Sequence, residues 1–264
     1  NYYIIVEGAT PVPSQEAFDE NDMFIRITRT IGSLNNYIIL GTNGISITGY
    51  PGHIGPEDDK QIIVTNGWLG LFENGNGNLE SSTALINGNS NDFQIRNIHI
   101  KCVNEAGSIG SLADNCGGIC RQYFAKGMNS PANLIENCSF EGNTGINAGG
   151  ICGAFFGPND GEVIIQNCYS KGSIGNTAGG ICGPGCGFQG KVTIQNCYSE
   201  ATISGVSAGG ICGLYCGFQG NVTIQNCYSS GIIDGEAAGG ICGKDCEYQG
   251  NVTIKSCLFK GTGT

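Results

Sequence analysis

The sequence predicts an all-β chain wound into a parallel β-solenoid, and three observations carry that prediction. The word "AGGICG" recurs thirty residues apart, at Ala148–Gly153, Ala178–Gly183, Ala208–Gly213 and Ala238–Gly243. Within each period apolar and polar residues alternate at the two-residue spacing of a strand, with no helical stripe. Glycine makes up 46 of the 264 residues without a Gly-X-Y period, which excludes collagen and supplies the corners of a tightly wound coil. Repeats of this length stack one unit on the next and bury a continuous core.

Aligning the periods gives columns. Val163, Val192, Val222 and Val252 form one, and Ile165, Ile194, Ile224 and Ile254 form another two residues on. Between them lie Ile164, Thr193, Thr223 and Thr253, so this is a first strand with one buried face. Ile174, Ile203 and Ile233 mark a second strand. The "GGIC" isoleucines Ile119, Ile151, Ile181, Ile211 and Ile241 mark a third. Three short strands per period, stacked ~4.8 Å apart, make one coil. A turn ladder of Asn97, Asn137, Asn167, Asn196 and Asn226 ends the first strand, with Ser256 in the next place. It is expected to be buried, each amide bonding the next. The glycine pairs suit either a corner with positive φ or a place where no side chain fits.

Residues 1–92 are expected to form the N-terminal cap and first irregular coils, and residues 93–264 the repeat coils of the same single domain. "MFIRITRTI", "NYIILG", "GISITGY", "QIIVTNG" and "FQIRNIHI" all alternate or carry β-branched residues. Ala9–Asp22 is the one candidate for a short helix or cap over the solenoid end. The chain stops partway through a coil, at "FKGTGT". That predicts either further sequence or cover by another subunit, and hence self-association end to end or laterally.

The pattern "GGICG" followed by "G-x-V-T-I-x-N-C-Y-S-x-G-x-I-x-G", over roughly residues 117–264, resembles the GLUG repeat of bacterial surface adhesins and surface proteases. There the words are closer to "GGLVG" and "NSYSTG"; cysteine stands here in place of valine and serine. The first hundred or so residues resemble the opening coils of pectin-lyase-like β-helices. The cysteine-rich form is also similar to repeat proteins encoded by large DNA viruses of amoebae. These resemblances imply a right-handed parallel β-helix serving as a rigid stalk or recognition surface.

Charge and composition exclude several classes. The net charge is −10 and no stripe of Lys and Arg occurs, so nucleic acid is not a predicted partner. Hydrophobic residues make up 40% against 13% charged, which is not a disordered composition. No apolar run approaches the ~20 residues of a membrane span. The chain begins at Asn1 without Met and is expected to be a processed or excised segment. Fifteen cysteines, an odd number, favour an oxidising, extracellular setting on a cell or virion surface.

Ten cysteines fall in two columns: Cys120, Cys152, Cys182, Cys212, Cys242, and Cys138, Cys168, Cys197, Cys227, Cys257. Ile98 opens the second column, which marks it as core filler. In the first, Cys186, Cys216 and Cys246 follow Cys182, Cys212 and Cys242 by four residues, and Cys116 precedes Cys120 by four. A turn such as "GPG" can bring such α-carbons within the ~4.4–6.8 Å of a disulfide, so these four pairs are disulfide candidates. Phe156, at the matching offset from Cys152, shows that the coil does not require pairing. Cys102 with Cys116 is an alternative bridge. Four-cysteine zinc sites between coils compete with both, against the Cys-x3-Cys spacing and the remoteness of His53 and His99. No cofactor is predicted.

A carbohydrate-active β-helix enzyme, lyase or glycosidase, is the alternative function. It requires two carboxyl groups across a cleft. Glu200, Asp234, Glu236, Asp245 and Glu247 fall in no common column, and Glu57, Asp58, Asp59 and Lys60 form a charged loop. The GGxGxD calcium pattern is missing. Tyr169, Tyr198 and Tyr228 are expected to point outward on successive coils, near Phe188, Phe218 and Tyr248. Two uses stand open: an exposed aromatic ladder for sugars or another protein, or rings stacked on each other to stabilise the coil. Thr193, Thr223 and Thr253 beside them are too short an array for an ice-binding face. Asn137, Asn221 and Asn251 match the N-x-S/T glycosylation pattern. The expectation is a non-enzymatic structural or surface protein, in adhesion or assembly on a cell, virion or fibre surface, with itself or surface glycans and proteins as partners.

Overall fold

The computed structural model describes residues 61–73 and 92–263 throughout. Ahead of them it describes the strands Tyr2–Glu7, Val12–Pro13, Met23–Ile27, Thr30–Ile31, Ile38–Ile39 and Ser46–Pro51. Among the described residues every regular element is a strand. One sheet stacks Gln94–Arg96, Leu134–Glu136, Glu162–Gln166, Lys191–Gln195, Asn221–Gln225 and Asn251–Lys255 in chain order, all parallel. A second stacks His99–Val103, Ser139–Glu141, Tyr169–Ile174, Tyr198–Ile203, Tyr228–Ser229 and Leu258–Phe259 in the same way. The third wall is a line of single bridges, Gly117 to Gly149, Gly179, Gly209 and Gly239, and Cys120 to Cys152, Cys182, Cys212 and Cys242. From Leu134 on, strand neighbours along the axis are 29 or 30 residues apart, whereas Gln94–Arg96 and Leu134–Glu136 pair across 40 residues. The repeat period is therefore the stacking period, and the chain is a parallel β-solenoid.

The sequence columns are the structural register. Val163, Val192, Val222 and Val252 pair in line, as do Ile165, Ile194, Ile224 and Ile254. Through Val222 and Ile224 these side chains are buried, while Ile164, Thr193 and Thr223 between them are half-buried on the outer face. Inward Val and Ile alternating with outward polar residues is what a pleated strand with one dry face demands.

The asparagine corner corrects one expectation. Asn97, Asn137, Asn167, Asn196 and Asn226 all have φ between 51° and 56°, and Ser256 has 50°. Asparagine tolerates this left-handed conformation better than most side chains, so the column is a turn requirement. It is not a buried ladder: Asn97 is half-buried and the other four are exposed. The corner aims the side chain outward, where Asn137 Nδ2 still donates to Asn97 Oδ1 at 2.7 Å. Its backbone N–H bonds the next coil, as in Asn167 to Gln195 O at 3.2 Å.

The paired glycines answer to space, since none of them has positive φ. A Cβ on the first of each pair would meet the carbonyl oxygen of its own coil's cysteine, at 2.0 Å for Gly149, 2.0 Å for Gly179 and 1.9 Å for Gly209. A Cβ on the second would meet the next coil's backbone, at 2.2 Å from Gly210 O for Gly180 and 2.1 Å from Gly240 O for Gly210, and also the opposite wall, at 2.5 Å from Ser199 Oγ and 2.2 Å from Ser229 Oγ. The two walls touch here, and only a residue without a side chain lets them.

Beyond this pinch lies a small second core of Ile174, Ala178, Ala201, Ile203 and Ala208. Its filling follows a rule of exchange. Phe140 stands in register with Ser170, Ser199, Ser229 and Phe259. Four residues on, the corresponding residues are Thr144, Ile174, Ile203, Ile233 and Gly263. A large ring at the first place goes with a small residue at the second, and a serine goes with isoleucine. Large and small residues thus trade places between the two positions from coil to coil.

The N-terminal region joins the same sheets. Ser46–Pro51 pairs parallel with Gln94–Arg96, and Ile62–Thr65 with His99–Val103. Tyr2–Glu7 lies antiparallel between Met23–Ile27 and Ser46–Pro51, an arrangement that the repeat pattern did not anticipate. Within Ala9–Asp22, Val12–Pro13 is a strand paired antiparallel with Ile38–Ile39. The rest of that segment, His53 and the Glu57–Lys60 loop lie outside the described residues.

Candidate functional site

The chemistry in this solenoid is concentrated in its thiols. All fifteen cysteines are free, and twelve of them are buried. The second column behaves as hydrogen-bonding filler. Cys138, Cys168, Cys197 and Cys227 follow the left-handed corner, and each thiol donates to the carbonyl two residues back at 3.2–3.3 Å. Each also faces a carbonyl of the preceding coil, such as Ile165 O for Cys197 at 3.7 Å. Cysteine is small enough for the space and still supplies a donor to a buried carbonyl. Burial pushes the Cys168 thiol well up.

The first column is different because a second one stands against it. Counting four residues on from Cys120, Cys152, Cys182, Cys212 and Cys242 gives Phe124, Phe156, Cys186, Cys216 and Cys246. Phe124 and Phe156 are fully buried and stack at 6.2 Å. In the later coils thiols take the place of those rings. Cys186 lies within hydrogen-bonding reach of Cys182, Cys212 and Cys216, and Cys216 of Cys242 and Cys246. Six sulfurs therefore stand in two facing columns of three along the axis. Burial pushes Cys182 well above the ordinary thiol range, with the contacts to Cys152 and Cys186 adding to it.

Cys116 and Cys120 are a different case from the three later pairs. Cys116 occupies the column of Ala148, Ala178, Ala208 and Ala238, ahead of the glycine pair. Burial raises its thiol to about 12, with the charges of Arg121, Asp114 and Glu73 around it. Cys102 lies on the second sheet, in the strand His99–Val103. Among the described residues no group of three or more His, Cys, Asp and Glu side chains is arranged to hold a metal ion.

The tyrosines form a ladder with its faces closed. Tyr169 and Tyr198 stack at 5.0 Å and 8°, and Tyr198 and Tyr228 at 5.0 Å and 2°. All three are half-buried, and Lys171 Nζ lies 5.6 Å from the Tyr169 ring centre. Phe188, Phe218 and Tyr248 make a parallel file at 5.3 Å steps. Rings used face to face along the axis present edges and hydroxyls outward, and sugar stacking needs an open face.

Polar side chains are paired along the axis as well. Arg96 donates to Glu136 at 2.9 Å, Gln166 to Glu136 at 2.6 Å, Gln195 to Gln166 at 2.7 Å and Gln225 to Gln195 at 2.8 Å. Gln189, Gln219 and Gln249 make a second amide ladder at 2.9 Å. Lys191 bonds Glu162 at 2.5 Å, and Lys171 pairs with Glu200 at 3.2 Å. Of the acids considered for glycoside chemistry, Glu200, Asp234, Glu236, Asp245 and Glu247 are exposed, with Glu200 paired to Lys171 and Asp245 to Lys244 at 3.9 Å. The sequence reading missed the buried Ser170–Ser199 contact at 3.2 Å. It also missed the buried Arg121–Glu73 pair at 3.2 Å, whose partners are 48 residues apart and outside the regular repeat.

Comparison of the chain with protein-family models, with curated proteins and with solved structures finds no match.

Proposed function

We propose that this chain is a rigid, non-enzymatic structural protein, a β-solenoid built into the surface of a cell, virion or fibre, where it serves adhesion or assembly. The observation that carries the reading is the axial pairing of its outward side chains. Tyrosine, glutamine and ion-pair ladders couple each coil to the next, so the surface groups a binding enzyme would aim at a ligand are engaged in holding the rod together. The closed faces of the tyrosine ladder favour protein partners, including a second copy of this chain, over stacked sugars. The GLUG-like pattern of "GGICG" and "NCYS" fits the same role, since that repeat is a feature of surface proteins.

Labelling of intact source material with a membrane-impermeant amine reagent, followed by recovery of this protein, tests the placement. Label on Lys171, Lys191 or Lys244, all exposed, is the expected result. Label acquired only after lysis contradicts it. The same purified protein is expected to release no products from a panel of neutral and acidic polysaccharides. Turnover lost on substituting a surface acid such as Glu200 would favour the carbohydrate-active alternative.

A further inference from the structure

The two facing columns of three thiols hold more sulfur than filler requires. Coils ending in Phe124 and Phe156 fill the same space with rings, so the change to cysteine in three successive coils is a change of chemistry. We propose that Cys182–Cys186, Cys212–Cys216 and Cys242–Cys246 are a disulfide-forming site, three stacked staples each closing the turn of its own coil. The inference stands on the thiol geometry and goes beyond the structural role proposed above.

Two arguments select pairing within the coil. Cys152, Cys182, Cys212 and Cys242 are in-register bridge partners. Parallel in-register neighbours hold their Cβ atoms near the ~4.8 Å strand spacing, whereas a disulfide brings them to ~3.8 Å. The stacked columns, including Cys138–Cys257, are therefore poorly placed to cross-link along themselves. The diagonal pairs Cys186–Cys212 and Cys216–Cys242 are also in reach, but they leave Cys182 and Cys246 without partners. Pairing within each coil uses all six.

The chemistry needs an oxidant, here a small-molecule disulfide. One cysteine thiolate of a pair attacks the reagent's S–S bond, forming a mixed disulfide and expelling one small thiolate. The second cysteine of the pair then attacks the protein sulfur and expels the other. One S–S bond breaks and one forms. The two protein protons end on the two released thiols, and the electron pair that leaves the protein reduces the reagent.

The test uses the full chain, purified with reductant. It is transferred to glutathione disulfide in the folded state and, in parallel, refolded in the same buffer. Remaining thiols are then alkylated under denaturing conditions, and the linkages are mapped by proteolysis and mass spectrometry. The expected map contains Cys182–Cys186, Cys212–Cys216 and Cys242–Cys246, with Cys168, Cys197 and Cys227 alkylated. The oxidised protein melts at least about 5 °C above the reduced one. A Cys212→Ala/Cys216→Ala double variant keeps the other two linkages. Linkages between coils, or full alkylation of all six under conditions that oxidise a dithiol control, overturn the proposal. So does zinc retained through gel filtration that blocks both reactions.

Discussion

Two stretches of one solenoid keep the same backbone and fill it differently. Up to Phe156 the interior uses rings: Phe93 packs edge-on to Phe124 at 5.2 Å, Phe124 stacks on Phe156, and Phe140 reaches towards Gly142. In place of those rings the later coils use Cys186 and Cys216, and Ser170, Ser199 and Ser229 with Ile174 and Ile203. The glycine pairs and left-handed corners run unchanged through both. The coil outline is thus set by where backbones touch and turn, and the filling is adjusted inside it.

The largest effect is expected where the outline itself is touched. Gly209→Ala forces a Cβ to 1.9 Å from Cys212 O and 2.4 Å from Gly243 N, backbone atoms that cannot swing aside. It should cost more than about 4 kcal/mol, enough to prevent folding. Gly107→Ala has φ of 76° but no atom within 4 Å, and should cost only about 1 kcal/mol. Urea unfolding separates the two, and equal costs would mean that backbone crowding at the glycine pairs does not set the outline.

Exchange of filling comes next. Ser199→Phe alone overpacks the second lobe and should cost about 1–3 kcal/mol. Combined with Ile203→Thr, which recreates the Phe140–Thr144 combination, it should recover most of that loss. A double-mutant cycle with no coupling would dissolve the exchange rule.

A smaller test uses opposite signs at one column. Ser229 Oγ is buried without a hydrogen-bond partner, because Phe259 follows it where another serine would stand. Ser229→Ala should therefore stabilise the chain by up to about 1 kcal/mol, while Ser199→Ala should destabilise it by a similar amount. Thermal melts of the two variants check this.

The smallest effect is acid sensitivity in the ring-filled stretch. His99 sits half-buried beside Ser139 Oγ at 2.8 Å, and desolvation lowers its pKa from 6.5 against the opposing pull of Glu141. The unfolded chain takes up the proton first, so stability falls as pH drops through about 6.5 towards the lower folded value. His99→Gln should flatten that part of the stability profile. An unchanged slope would assign it to the carboxylates instead.

The repeat columns were legible because a 30-residue period translates directly into axial register. Val163, Val192 and Val222 had to stack once the coil existed. Asn137 was legible as a turn residue but not as exposed, since residue type alone does not say on which side of a left-handed corner the side chain leaves. The glycine pairs left two explanations open, and only wall distances decide between them. Cys116 looked equivalent to Cys186 because both are four residues from a column cysteine, but they lie on opposite sides of the bridge. Arg121–Glu73 left no signal at all, since nothing periodic connects them.

Hydrogen exchange resolved by peptide, on the reduced protein, tests the central claim most directly: one backbone frame supports both fillings. The account predicts that the buried strands from Ile95 to Ile224 exchange slowly and lose protection together as denaturant is added. Rapid exchange confined to Glu162–Gln225, with the ring-filled coils still protected, would contradict it. The thiol and serine coils would then depend on covalent staples for their structure.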